Sequence, residues 1–251
     1  MSVLLKVEKI SCSVKNKNIL REVDFEVTAG EILGISGESG SGKTTLAKII
    51  AGIIKPNSGK LNWNNAKSNS ISSVQLLFQN NGEILNPYRK IGNVIKDALL
   101  IHNTPKNEIE KRAEELFNET GVKPELYSRR GYELSGGERQ RIALARLLAV
   151  NPEVLILDEP FSAQDITSQI NLVKVLERIN EELNVTMICI SHDLKILRKF
   201  AHRVIVLQKG RIVETGDASK IFSSPTHPYT KFLLSAEEFS LTEEAIHNFN
   251  S

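Results

Sequence analysis

With 251 residues, 41% of them hydrophobic and 25% charged, the chain has the composition of an ordinary folded domain and is excluded from the low-hydrophobicity, high-charge class of disordered chains. Its 32 Lys and Arg against 30 Asp and Glu leave a net charge of +2, too little to draw nucleic acid or an anionic membrane through bulk charge. No run approaches the roughly 18 apolar residues of a membrane-spanning helix, the longest candidate, Ile142 to Val150, being broken by Arg146. Met1 to Lys6 lack the pattern of a secretory signal, so a cytosolic chain is expected. Cys12 and Cys189 lie far apart with no CxxC and no ligand cluster, and both are expected as small core residues.

In chain order, Leu4 to Val7 and Val23 to Val27 alternate at period two and are predicted as antiparallel strands, with Ala29-Gly30 as their turn. Glu31 to Ser36 is a mostly apolar strand. After a glycine-rich turn, Leu46, Ile49, Ile50 and Ile53 fall on one helical face. Further strands are predicted at Gly59 to Trp63 and Val74 to Phe78, with the polar run Asn64 to Ser70 as an exposed loop. From about Asn80 to Val150 strand signals vanish, and Thr104-Pro105 through Gly121 reads as a helix with its N-cap, first-turn proline and closing glycine. Strands return at Val154 to Leu157, Val185 to Ile190 and Val204 to Leu207. A stripe of Leu172, Val175, Leu176, Ile179 and Leu183 lies between the first two, and this alternation predicts an α/β fold with a parallel sheet. Ser240 to Glu243 forms a capping-box pattern for a last helix. The expected division is a core with its antiparallel β-subdomain over residues 1–79 and 151–223, a helical insertion over 80–150, and a tail over 224–251.

Four constellations carry chemistry. Gly37-Glu38-Ser39-Gly40-Ser41-Gly42-Lys43-Thr44 fits GxxxxGK[ST], whose backbone N–H groups wrap phosphate oxygens at a helix N-terminus. Lys43 then reaches the β- and γ-phosphates and Thr44 ligates magnesium. A flexible glycine linker would share the composition, but this match sits between a predicted strand and an amphipathic helix. Val154 to Leu157 deliver Asp158 and Glu159 at a strand's carboxyl end, Asp158 suited to magnesium and Glu159 to a base or orienter of water. Alone the pair would be an exposed acidic turn; beside a phosphate loop it is a site. His192 follows another apolar strand and suits a hydrogen bond to a γ-phosphate, whereas His102, His202, His227 and His247 are read as surface residues. Leu134-Ser135-Gly136-Gly137-Glu138-Arg139-Gln140-Arg141 opens an apolar helix with small residues that leave N–H groups free for a second anion. A spare phosphate cradle makes sense if it faces nucleotide held by another subunit.

These motifs, in this order, resemble the ATP-binding cassette family of transport ATPases over about residues 1 to 235. The resemblance implies a P-loop core with an antiparallel β-subdomain and an inserted helical subdomain. It makes Gly37 to Thr44, with Thr45 beside it, the Walker A loop; Gln79 the Q-loop glutamine with a role at the metal and in catalysis; and Leu134 to Glu138 the signature. Asp158 and Glu159 become the Walker B pair, Asp165 the D-loop acid and His192 the switch histidine. It further implies ATP and Mg2+ as ligands, and head-to-tail pairing in which each signature caps the other subunit's ATP.

Leu85-Asn86-Pro87, Asp165 to Gln169, and Pro225-Thr226-His227-Pro228-Tyr229-Thr230 are similar to the peptide and nickel importer branch, whose cassettes work in unlike pairs. Lack of a long C-terminal extension is more similar to the nickel or metal-chelate subunits. The implied partners are transmembrane permease subunits, a sister cassette ATPase (a like pair being the alternative) and, indirectly, an extracytoplasmic substrate-binding protein, with no nucleic acid. The implied place is the cytoplasmic face of the membrane. Two positions depart from the family: Val14 stands where an aromatic residue usually stacks on adenine, and Gln164 where the D-loop has leucine. The rivals are a cassette that binds ATP only to regulate and a nucleic-acid- or ribosome-associated cassette ATPase.

Overall fold

A computed structural model of the chain describes residues 2–15, 17–64, 73–78, 85–162 and 164–236. The elements run β1 (Val3–Val14), β2 (Lys17–Thr28), β3 (Ile32–Ser36), α1 (Lys43–Ile50), β4 (Ser58–Trp63), β5 (Val74–Leu77), α2 (Ile91–Ile101), α3 (Ile109–Thr120) and α4 (Gly136–Leu148). They continue with β6 (Val154–Asp158), α5 (Ile166–Leu183), β7 (Thr186–Ile190), α6 (Leu194–Phe200), β8 (Arg203–Gln208), β9 (Arg211–Asp217) and α7 (Ala218–Ser223). Two compact units result, one of Met1–Leu4, Thr28–Glu31 and Trp63–Ile188, the other of Leu5–Val27, Ile32–Asn62 and Cys189–Ser251.

In the second of these units β2, β1 and β4 form a three-stranded sheet in that order. From Leu5 onward the buried residues of β1 run Leu5, Val7 and then Ile10, Cys12, and those of β2 run Leu20 and then Val23, Phe25, Val27. Each sequence slips by one where Lys9 and Glu22 take a left-handed φ of 47°, which keeps the apolar side chains on one face through the irregularity. β1 ends before Lys15, which sits at φ 47°, and β2 follows it directly in the element order. The predicted turn at Ala29-Gly30 instead leads from β2 into β3. Gly30 takes a positive φ there, 74°, whereas beyond β1 a lysine accepts that conformation.

The same unit carries β3, every residue of which is buried, paired in parallel with β8 through Leu33↔Arg203 to Ser36↔Val206. β8 pairs antiparallel with β9, which offers no apolar run to the sequence reader because it is a half-exposed edge strand. Helix α1 buries Leu46, Ala47, Ile49 and Ile50 and ends there; Ile53, predicted on its apolar face, lies beyond the helix and is 55% exposed.

In the other unit β5 and β6 pair in parallel, Val74↔Val154 through Leu77↔Leu157, with β7 next in order, giving the parallel-rich sheet of an α/β fold. Helices α2, α3 and α4 pack on one another, and Phe117 meets Tyr127 edge to face at 5.4 Å. α3 starts at Ile109 rather than at Thr104-Pro105, because Pro105 closes a separate turn through the Glu108 N–H to its carbonyl at 2.8 Å. Its end falls at Gly121, φ 68°, as the sequence signalled. α5 buries Leu172, Val173, Leu176 and Ile179; of the predicted stripe, Leu183 is 38% exposed. Both cysteines are free and buried. Residues 65–70 of the polar loop and the Ser240 to Glu243 pattern lie outside the described residues.

After α7 the second unit continues into a helix over 228–236, and its opening explains the run Thr226-His227-Pro228-Tyr229. His227 Nδ1 accepts the Tyr229 N–H at 3.2 Å, its carbonyl accepts the Lys231 N–H at 3.1 Å, and Pro228 occupies the first helical position, where no N–H is needed. His227 is thus a half-buried cap rather than a surface residue. His202 is exposed but fixed, its Nδ1 accepting the Ile32 N–H at 3.1 Å. Glu214 of β9 holds the tail: its Oε1 accepts the Thr226 N–H at 2.7 Å and the Thr226 hydroxyl at 2.8 Å, and its Oε2 accepts the His227 N–H at 3.1 Å. Burial alone would raise the Glu214 carboxyl, but the donors gathered from the tail outweigh it and bring it down from 4.5 to about 2. A carboxyl depressed by folding stabilises above its unfolded value, so this contribution is complete above about pH 4.5 and is lost as pH falls toward about 2. Urea midpoints of the parent and Glu214→Gln should therefore differ at pH 6, the parent being more stable, and converge over that acid window; a gap unchanged down to pH 3 would contradict the clamp.

Candidate nucleotide site

The phosphate loop belongs to the second unit and joins the end of β3 to the start of α1. Its path is set by clearance: Gly37 sits at φ 148°, and a Cβ there would lie 2.1 Å from the Leu207 carbonyl oxygen. At Gly42, φ 109°, a Cβ would meet Leu20 at 2.7 Å and the Ile19 carbonyl at 2.9 Å. Neither position admits a side chain. The Ser41 N–H donates to the Glu38 carbonyl at 3.2 Å and the Ser41 carbonyl accepts the Gly210 N–H at 3.0 Å, which closes the loop on itself and ties it to the β8–β9 turn. Lys43, 7% exposed, turns back over the loop and donates to the Gly37 carbonyl at 2.7 Å and the Glu38 carbonyl at 2.9 Å.

This arrangement fits a polyphosphate. The Ser41 hydroxyl is buried with no hydrogen-bond partner, an orphaned donor of the kind that a ligand oxygen satisfies. Space around Gly40 is open. Thr44 is exposed on the first turn of α1, with Thr45 half-buried beside it. Glu38, Ser39 and Gly40 are exposed or at the rim, whereas Ser41, Gly42 and Lys43 are buried. Also in this unit, the Ser191 N–H donates to the Ile35 carbonyl at 3.2 Å, and the Ser191 hydroxyl accepts the Asp193 N–H at 3.0 Å. Asp193 in turn caps α6, so the exposed His192 projects from a fixed backbone at the carboxyl end of the strands. Val14, last residue of β1, is 48% exposed.

The acidic pair and the signature belong to the first unit. Asp158 closes β6 and is 3% exposed, so its carboxylate demands a cation or donors close by. Glu159 follows in a left-handed conformation, φ 52°, which is strained for a residue with a Cβ. Its carbonyl accepts the Ser162 hydroxyl at 2.9 Å and the Ser162 N–H at 3.3 Å, the turn that holds the strain. α4 opens with a complete capping box: the Ser135 hydroxyl accepts the Glu138 N–H at 3.3 Å, and Glu138 Oε2 accepts the Ser135 N–H at 2.8 Å. The Ser135 backbone N–H, with the Ser135 hydroxyl beside it, holds the Glu138 carboxyl below its ordinary range. The box does not use the N–H groups of Gly136 and Gly137, and the surroundings of both glycines leave room for a ligand.

Gln140, which the sequence offered without a role, links these two pieces. It is 5% exposed, its amide donates to the Pro160 carbonyl, and its Oε1 accepts from the Gln164 amide, which also reaches the Pro160 carbonyl at 3.2 Å. Gln164 therefore spends its amide within this chain. Asp165, the D-loop acid, caps α5: Oδ1 accepts the Ser168 N–H at 2.9 Å and Oδ2 the Ser168 hydroxyl at 2.6 Å. Those bonds from Ser168 lower its carboxyl. Gln79 lies outside the described residues, and among those described no cluster of three or more His, Cys, Asp or Glu forms a metal cage.

Comparison with known proteins agrees with this chemistry. Residues 20–162 match the ABC transporter family, and residues 213–238 match the oligopeptide/dipeptide transporter C-terminal region. A di/tripeptide transport ATP-binding protein of Pseudomonas aeruginosa is 38% identical over 227 residues, covering 86% of this chain and 70% of the relative. Among solved structures, cbiO1 from Clostridium perfringens, part of the ABC transporter complex cbiONQ, superposes with TM-score 0.82 at 27% identity over 89% of this chain and 92% of that one. A dimeric ATP-binding cassette in a post-hydrolysis state bound to ADP and Pi superposes with TM-score 0.75 at 26% identity over 86% of this chain and 99% of that one. The chain belongs to the ATP-binding cassette transporter family.

Proposed function

We propose that the chain is the ATP-hydrolysing, energy-coupling subunit of an importer of small peptides. The observation that carries the substrate class is the joint match of a cassette over residues 20–162 and an oligopeptide/dipeptide C-terminal region over 213–238. That second match favours peptides over the nickel or metal chelates that the short tail suggested. No helix among the described residues is long and apolar enough to cross a membrane. In this reading the subunit works from the cytoplasmic face of the membrane against transmembrane permeases, which receive cargo from an extracytoplasmic binding protein.

In this reading Gly37 to Thr45 bind the phosphates, and Lys43 exchanges its two loop carbonyls for the β- and γ-phosphate oxygens, where transition-state charge collects. Thr44, Gln79 and Asp158 would hold Mg2+, which when bound would supply Lewis-acid neutralisation of the phosphate charge. Glu159 orients or deprotonates the attacking water, and His192 hydrogen-bonds the γ-phosphate. Ser135, Gly136, Gly137 and Glu138 cap ATP held by a second cassette, a sister subunit rather than a second copy of this chain. The dimeric form of the ADP- and Pi-bound relative supports pairing.

Lys43→Ala should lower ATP turnover of the assembled transporter about 10²- to 10³-fold while the fold survives; equal turnover would remove the phosphate loop from the mechanism. Glu159→Gln keeps size and hydrogen bonding but removes basicity, so hydrolysis should fall about 10²- to 10⁴-fold while ATP stays bound. Size-exclusion chromatography with ATP and magnesium should then show a stable pair of cassettes, and separate subunits at saturating ATP would contradict the capped dimer. At Val14 no aromatic face is available to adenine. Base stacking is worth about 1–3 kcal/mol, so Val14→Tyr should tighten ATP binding by roughly 5- to 150-fold in a fluorescent-nucleotide titration. Unchanged affinity would mean that Val14 does not face the base.

A further inference from the structure

The tail segment that marks the oligopeptide/dipeptide branch does more in this chain than extend it. Tyr229, 8% exposed, places its hydroxyl 2.9 Å from the backbone nitrogen of Glu38 and accepts that N–H. Glu38 is the second residue of the phosphate loop, 191 positions away in sequence. Its peptide groups are held from two sides, since the Glu38 carbonyl already accepts from Ser41 N–H at 3.2 Å and from Lys43 Nζ at 2.9 Å.

Three observations fix the hydroxyl in place. His227 caps the tail helix and Pro228 starts it, so Tyr229 leaves the helix at a set angle. Glu214 grips Thr226 and His227 through three hydrogen bonds and anchors that helix start to β9. β9 is registered on β8, whose Leu207 carbonyl lines Gly37, so one framework carries both the tail anchor and the wall of the loop. Burial raises the Tyr229 hydroxyl above its ordinary value, so it is neutral at working pH and always offers a lone pair.

We infer that Tyr229 is a positioning residue for nucleotide binding, its hydroxyl fixing the Glu38 peptide and thereby presetting the entry limb of the phosphate loop, with Glu214 as the anchor that keeps it there. This rests on the reading of Gly37 to Thr44 as the ATP phosphate loop. The physical basis is entropic. Glycines at 37, 40 and 42 leave this loop few side-chain contacts, and a backbone left free must be ordered when phosphate binds. A hydrogen bond from outside the loop meets part of that ordering cost before the nucleotide arrives. The N–H of Glu38 is also withdrawn from the donors facing phosphate, which leaves the later loop amides to bind it.

The test uses the full chain and Mg-ATP, with a fluorescent ATP analogue as probe and thermal midpoint without nucleotide as the control. Tyr229→Phe keeps the ring and removes the acceptor. It should weaken ATP and ADP alike by about 3- to 10-fold, the worth of one hydrogen bond, with the nucleotide-free thermal midpoint within a degree or two of the parent. Glu214→Gln should shift affinity in the same direction, and the double variant should be no weaker than the weaker single, because both act through the same hydroxyl. Affinity of Tyr229→Phe equal to the parent's would overturn the inference, as would a loss of affinity that only tracks a fallen thermal midpoint, or fully additive effects. The two readings fail separately: absence of ATP binding by the parent, or binding unaffected by Lys43→Ala, removes the phosphate-loop assignment, whereas a parent that binds ATP and a Tyr229→Phe protein that binds it equally well removes the tail alone.

Discussion

Clearance between the phosphate loop and the strand beside it is the constraint on which the nucleotide site depends. With 2.1 Å between an imagined Cβ at position 37 and the Leu207 carbonyl, the backbone of the loop runs where only glycine passes. That closeness lets the loop turn sharply from β3 into α1, so that N–H groups and the helix N-terminus point the same way. Everything else in this unit serves the same turn. The Gly210 N–H bonds Ser41 from one side, Ile19 and Leu20 press on Gly42 from another, and the tail tyrosine takes Glu38.

The first unit solves a different problem, the presentation of charge at the end of a fully buried strand. β6 is buried throughout, Asp158 included, and the left-handed turn at Glu159 is where the chain departs from the sheet. A strained residue persists only where neighbours over-determine it. Here they are Ser162, which binds the Glu159 carbonyl, and Gln140, which reaches across from α4 to Pro160. The signature helix and the acidic turn are therefore mechanically joined through a buried glutamine. Gln164 adds a second amide to the same junction, which gives this polar side chain its partners within the chain.

Polar side chains whose main work is to shape backbone recur through the chain. Asp165 and Asp193 cap helices, His227 caps the tail, and Glu214 gathers three donors. Each satisfies backbone N–H groups at the start of a helix that the helix itself cannot pair.

By itself the sequence determined the local chemistry. The phosphate loop, the acids after an apolar strand, the signature octet and the end of α3 at Gly121 all depend on residues close together in the chain, where backbone conformation and side-chain type are read directly. Expectations resting on local signals alone failed where a more distant or less usual partner decided: the turn at Ala29-Gly30 leads into β3 rather than joining β1 and β2, and Pro105 closed a turn rather than opening a helix. β9, with no apolar run, exists because β8 supplies its hydrogen bonds. Histidine 227 looked like surface because its partner is the amide of a buried tyrosine that no periodicity marks. Only the tertiary structure could place Tyr229 on Glu38, since a contact across 191 residues depends on how strands pair and not on any pattern that a window of sequence contains.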